Sequence, residues 1–372
     1  INFTVVFSEA VANFATGDVT LGGTAGATTQ VVTGAGTTYN VAVSGMTSDG
    51  TVTANLAVGV ATDALGNPSA PSTSTDNTVT WDTTGPTVTL NQAAGQADPT
   101  NASPINFTVV FSESVVNFAT GDVTLGGTAG ATTAIVTGAG TTYNVGASGM
   151  TSDGTVIASL AAGVATDAAG NPSAASTSTD NTVTRDTTGP TVTIEQAVGQ
   201  ADPTNASPIN FTVVFSESVA NFVTGDVTLG GTAGATSAVV TGAGTTYNVA
   251  VSGMTSDGTV IASLAADVAT NGTGNPNAAS TSVDNTVTYD ATSPTVTVDQ
   301  AVGQADPTNA SPINFTVVFS EPVADFLTGD VALGGTAGAT TAVVTGAGTT
   351  YNVAVSGMTG DGTVIASLAA AV

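Results

Sequence analysis

Residues 105–111 alternate: Ile105, Phe107, Val109 and Phe111 are apolar, and Asn106 and Thr108 stand between them. A period of two predicts a β-strand with one face in a core. Similar short runs follow at 122–125, 133–137, 142–148, 155–160 and 181–185, and one precedes at 87–92, with its counterpart one copy later at 191–196. Gly, Asp, Asn and Pro fill the breaks: a turn over 95–104, the tight "GAG" between 133–137 and 142–148, and the loop "ATDAAGNPSA". Thr and Val dominate the runs, and no stretch carries a capped helical period. About seven short strands in roughly 100 residues predict an all-β fold of the immunoglobulin-like sandwich kind.

The pattern recurs. The string "INFTVVFSE" begins at Ile1, Ile105, Ile209 and Ile313, a period of 104 residues. Such a period is too long for a solenoid turn and long enough for each copy to bury a core. The expected organisation is a tandem, elongated array of four repeats: 1–85, 86–189, 190–293 and 294–372. The first is without its initial strand and the fourth without its closing loop and strand. The joins are short, as in "NTVTWDTTGPTVT", where one strand ends at Trp81 and the next starts after Pro86.

Charge narrows the function classes. Against 27 acidic residues stands one basic residue, Arg185, with no Lys, His or Cys. A net charge of −26 argues against nucleic acid and anionic membrane surfaces as partners. Disulfides and Lys–Asn isopeptide cross-links are excluded by composition, and a trypsin-like protease finds one site. Stability must then come from packing, backbone pairing or bound cations. These features suit an extracellular setting. No apolar run approaches the roughly 20 residues of a membrane helix. The opening residues read as a strand rather than a signal peptide, so the chain reads as a window from a longer protein.

Strand alternation indicates which acidic residues meet. If successive strands reverse direction, "FSE" (Glu113) returns to the end where the repeat is entered, and so does the loop before Asp122. The penultimate strand delivers "ATDAAGN" (Asp167, Asn171) to the same end, beside the linker residue Asp82. "TSDG" (Asp153) and "ADPTN" (Asp98, Asn101) fall at the opposite end, near Asp186. Calcium takes six to eight oxygens from carboxylates, amides, carbonyls and water, and such a junction offers several. Glu113 weighs most, because Glu has little turn preference. The expected structural Ca2+ ligands are Asp82, Glu113, Asp122, Asp167 and Asn171 at the first join. At the second they are Asp186, Glu217, Asp226 and Asn271, and at the third Asp290, Glu321 and Asp330. Glu9 and Asp63 are their counterparts in the first repeat. Asn271 stands where the pattern has Asp, which leaves the second site one charge poorer. For "TSDG" and "TDNT", ordinary turn preference is the favoured explanation.

Other signals are weaker. "NFT" at Asn2, Asn106, Asn210 and Asn314 matches a glycosylation sequon but opens a strand. Thr-rich strands could present hydroxyls to ice or sugar, yet Thr is simply a good strand former. Acid–base catalysis would rest on carboxylates alone, and they recur in every copy, so no enzyme is expected.

"DTTGPTVT", "FSE(A/S)V" followed by "F.TGDVTL", and "GVATDAAGNPS" together resemble the bacterial immunoglobulin-like repeats of large surface adhesins and biofilm-associated proteins. The resemblance covers essentially the whole chain. It implies a non-catalytic cell-surface stalk, often rigidified by calcium at its joins, that projects a binding head. The residues matching these motifs are Asp82, Asp186 and Asp290, the Glu of "FSE" and the Asp of "ATDAAGN". Its partners are neighbouring repeats of the same chain, and the adhesive ligand is not named. A subunit of a self-assembling extracellular filament is the alternative function. A carbohydrate-binding accessory region of a secreted enzyme is a third.

Overall fold

The computed structural model describes residues 1–369; the last three residues of the expected fourth repeat, 294–372, lie outside the described range. The described chain is built from antiparallel strands and single-turn 3-10 segments. It divides into two compact units, one of Ile1–Pro190 with Ala269–Asn277 and one of Thr191–Val268 with residues from Ala278 onward.

In the first unit, residues 88–185 carry a complete set of strands. One sheet has the order Val88–Gln92, Ile105–Phe111, Thr142–Ser148, Thr133–Ala139. The other has the order Thr182–Arg185, Gly154–Leu160, Val123–Gly126. Leu90, Phe107 and Val145 of the first sheet and Val156, Ala158 and Val183 of the second are fully buried in one cluster. This is a seven-stranded sandwich, and the alternation in the sequence sets which face is inside. Observed strands fall within a residue or two of the expected runs. The 122–125 run starts one residue later, because Thr120–Asp122 forms a 3-10 turn.

An aromatic trio closes one end of this core. Phe111, Phe118 and Tyr143 meet edge to face with centroids 5.0–5.9 Å apart. The Tyr143 hydroxyl donates to the Val115 carbonyl at 3.5 Å. The same trio recurs as Phe7, Phe14 and Tyr39.

Residues 1–81 build a smaller version. Asn2–Val11 pairs with Thr29–Ser44, and Val19–Gly22, Gly50–Leu56 and Thr78–Trp81 form the facing sheet. Val41 and Val52 are fully buried between them. No described strand pairs with the outer edge of Asn2–Val11. In the second unit the same pairings return: Val192–Gln196, Ile209–Val219 and Ser237–Ser252 in one sheet, and Val296–Gln300, Ile313–Val323 and Thr341–Ser356 in another. There the hairpin that the sequence splits at "GAG" is continuous, with a bulge in its partner strand.

Candidate cation site and joint contacts

The linker after Trp81 is held from the side of the preceding repeat. Asp49, in the turn before Gly50–Leu56, accepts from the Thr83 N–H at 2.8 Å and the Thr83 hydroxyl at 2.7 Å. A short hydrogen bond from the Thr84 hydroxyl reaches its other oxygen. Asp153 does the same one period later, accepting from the Thr187 N–H at 2.9 Å and from the hydroxyls of Thr187 and Thr188 at 2.7 and 2.5 Å. Arg185 adds a 3.4 Å ion pair to Asp153. Donated hydrogen bonds, first from Thr84 and then Thr83, hold the Asp49 carboxyl below the ordinary aspartate value. Thr187 and then Thr188 do so for Asp153. This clasp spans 34–35 residues of sequence, and turn preference conceals it.

The same end of the 88–185 sandwich meets its outgoing linker a second time. Asp98 accepts from the Thr184 N–H at 2.9 Å, and the Asp186 N–H donates to the Thr100 carbonyl at 2.9 Å.

At the first joint Asp82 of the linker, Glu113 beyond the Ile105–Phe111 strand and Asp167 of the 165–172 loop come together. Their nearest carboxylate oxygens lie within 4.8 Å of one another, the one such acidic group of three among the described residues. Asp167 is buried, at 2% exposure, and Asp82 and Glu113 are half-buried. Burial, then the charges of Asp82 and Asp167, push the Glu113 carboxyl above its ordinary value, and no hydrogen bond offsets them. Asp167 behaves oppositely. Burial is the largest single influence and raises its pKa, but hydrogen bonds from the Asn171 side chain and from backbone N–H groups together outweigh it and lower the value. The Asn171 amide nitrogen donates to Asp167 at 2.9 Å and to the Asp82 carbonyl at 3.1 Å, so Asn171 ties the loop to the linker.

Gly85 makes this close approach possible. A Cβ there would stand 2.0 Å from the Pro172 carbonyl oxygen, and at Gly189 it would stand 1.8 Å from that of Pro276.

The second joint's loop is neutral. The Asn271 side-chain oxygen accepts from the Thr273 hydroxyl at 2.7 Å and the Asn275 N–H at 2.9 Å, while its amide donates to the Thr188 carbonyl at 3.1 Å. The Asn275 amide donates to the Asp186 carbonyl at 3.0 Å, and the Thr273 hydroxyl to the Asp186 carboxylate at 3.2 Å.

The remaining expected ligands have other surroundings. Asp122, Asp226 and Asp330 each accept from the backbone N–H three residues earlier at 2.7 Å, closing the 3-10 turn locally. Asp63 accepts from the backbone and side chain of Asn67 at 2.9 and 2.7 Å. Glu9 is exposed, Glu217 and Glu321 are half-buried, and Asp290 accepts from the Thr292 N–H at 3.2 Å.

The donor set at the first joint is all oxygen, three carboxylates with no thiolate or imidazole, which fits a hard cation such as Ca2+. Compared with models of known protein families and with curated proteins, the chain matches none.

Proposed function

We propose that this chain is a run of tandem immunoglobulin-like domains forming a non-catalytic extracellular stalk of a bacterial surface adhesin, with calcium stiffening the first joint. The observation that carries this reading is the convergence of Asp82, Glu113 and Asp167 across a linker. Three carboxylates placed this closely repel one another at neutral pH, and a divalent cation turns that repulsion into a cross-link. Asp82 belongs to the linker, while Glu113 and Asp167 belong to the following domain. A shared ion would therefore restrict the angle between the two. When bound, the ion supplies charge neutralisation and coordination. The chain supplies the placement: Asn171 fixes Asp167, and Asp49 fixes the linker.

The deciding experiment is thermal melting of the full chain in calcium and in chelator, with small-angle scattering under both conditions. The reading expects a higher Tm and a narrower spread of dimensions with calcium; identical curves would overturn the cation. A self-assembling filament subunit, the competing reading, expects growth in sedimentation velocity as concentration rises.

A further inference from the structure

The loop at residues 269–275 departs from its counterparts at consecutive positions. "ATDALGN" at 61–67 and "ATDAAGN" at 165–171 become "ATNGTGN", which sets Asn271 before Gly272 in the one Asn-Gly pair of the sequence. The fold does not require glycine there. A Cβ at Gly272 would meet nothing within 4 Å, and its φ lies outside the left-handed region. Ala64 and Ala168 hold the same place in the other two loops. What glycine changes is reactivity: with no side chain in the way, its backbone nitrogen can close on the side-chain amide carbon of the preceding Asn.

The Asn271 amide is held in surroundings that suit a negative oxygen. In the other loops the same place holds a carboxylate: Asp63 Oδ1 accepts from the Leu65 and Asn67 N–H groups at 2.8 and 2.9 Å, and Asp167 Oδ1 from the Asn171 N–H at 2.8 Å. Asn271 Oδ1 accepts from the Thr273 N–H at 3.1 Å, the Asn275 N–H at 2.9 Å and the Thr273 hydroxyl at 2.7 Å. Attack on Cγ moves charge onto this oxygen, so the three donors stabilise the tetrahedral intermediate as an oxyanion hole does. Asn271 is 5% exposed, but its attacker is the next residue of the chain, and Gly272 is open to water.

We infer that Asn271–Gly272 is a self-modifying site, at which loss of ammonia turns the amide at position 271 into a carboxylate and gives this loop the charge that Asp63 and Asp167 give the others. The Gly272 nitrogen bonds to Cγ of Asn271 and gives up its proton. The bond from Cγ to Nδ2 breaks, and that nitrogen leaves as ammonia with the proton. Water then opens the cyclic imide, at Cγ to aspartate or at the backbone carbonyl to isoaspartate. The donors to Oδ1 suit the aspartate, whereas the hydrogen bond from the Asn271 amide to the Thr188 carbonyl is lost. The inference does not depend on the cation at the first joint.

The test is ageing of the folded full chain in mildly alkaline buffer, followed by pepsin digestion at low pH and mass spectrometry. The peptide that contains position 271 should gain about one mass unit. The gain should accumulate there at least tenfold faster than at Asn101 and Asn277, each of which precedes Ala. Gly272→Ala, whose Cβ stands in open space, should leave the melt unchanged and slow the gain at least tenfold. Thr273→Ala, which removes one donor to Oδ1, should slow it severalfold. No gain at position 271, a gain no faster than at Asn101 and Asn277, or a rate that Gly272→Ala leaves unmoved overturns the site.

Discussion

The first and second joints share the linker "DTTGP", yet they close with different chemistry. At the first, Asp167 brings a buried carboxylate beside Asp82 and Glu113. At the second, Asn271 holds the same loop position, and an amide and hydroxyl network of Asn271, Thr273 and Asn275 ties directly to Thr188 and Asp186. Asp167 is replaced by Asn271 and Ala169 by Thr273 between the two solutions. A carboxylate cannot donate, so Asp167 adds charge beside Asp82 and Glu113. An amide offers a donor and an acceptor, so Asn271 adds a tie to the Thr188 carbonyl beside the one that Asn275 makes to Asp186 and Asn171 makes to Asp82.

The comparison breaks most directly by exchanging the residues. Asp167→Asn should remove the calcium response of the first joint, a loss of about 2.7 kcal/mol at a calcium concentration 100 times Kd. Melting in calcium and in chelator reads this, and the two curves should converge for the variant. Gly85→Ala tests the packing both joints share. Its Cβ would meet the Pro172 carbonyl, and such overpacking costs about 1–3 kcal/mol by denaturant titration, with or without calcium.

A pH series in chelator sharpens the contrast. Glu113 has a folded pKa raised above 4.5, so the metal-free chain should gain stability as pH falls through that raised value. Asp49 and Asp153 have folded values below 3.8, so their contributions hold above 3.8 and fade at lower pH. Stability should therefore peak in mild acid, and Glu113→Gln should flatten the gain on the approach from neutral pH. The smallest effect concerns the third linker, "DATSP", where Asp257 accepts from the Ala291 N–H and the Thr292 hydroxyl. Ala291→Thr restores the hydroxyl found at Thr83 and Thr187, and should raise Tm slightly.

Much of the fold was legible because period-two alternation survives in Ile105–Phe111 and Thr142–Ser148, where burial on one face leaves little freedom of register. The approach of Glu113 and Asp167 to Asp82 was legible for a related reason: strand direction alone decides which end a residue reaches. Side-chain partners were not. Asp122 looks like another acidic residue near the joint, and one of its carboxylate oxygens accepts from the Ala119 N–H three residues away. Asp49 and Asp153 sit in turns that favour Asp anyway, so nothing local marks their reach to linker threonines. The Asn271 network depends on amide orientation, which no spacing rule encodes.

Gly85 has a consequence for how far the joint design can be varied. The third linker carries Ser293 where the first two carry Gly85 and Gly189. A side chain there would occupy the space that the Pro172 and Pro276 carbonyls take at the earlier joints. A domain following Ser293 would thus need a differently shaped entry loop. One missing methyl group thereby acts as an interchange standard, defining which modules can be shuffled along the array and which cannot.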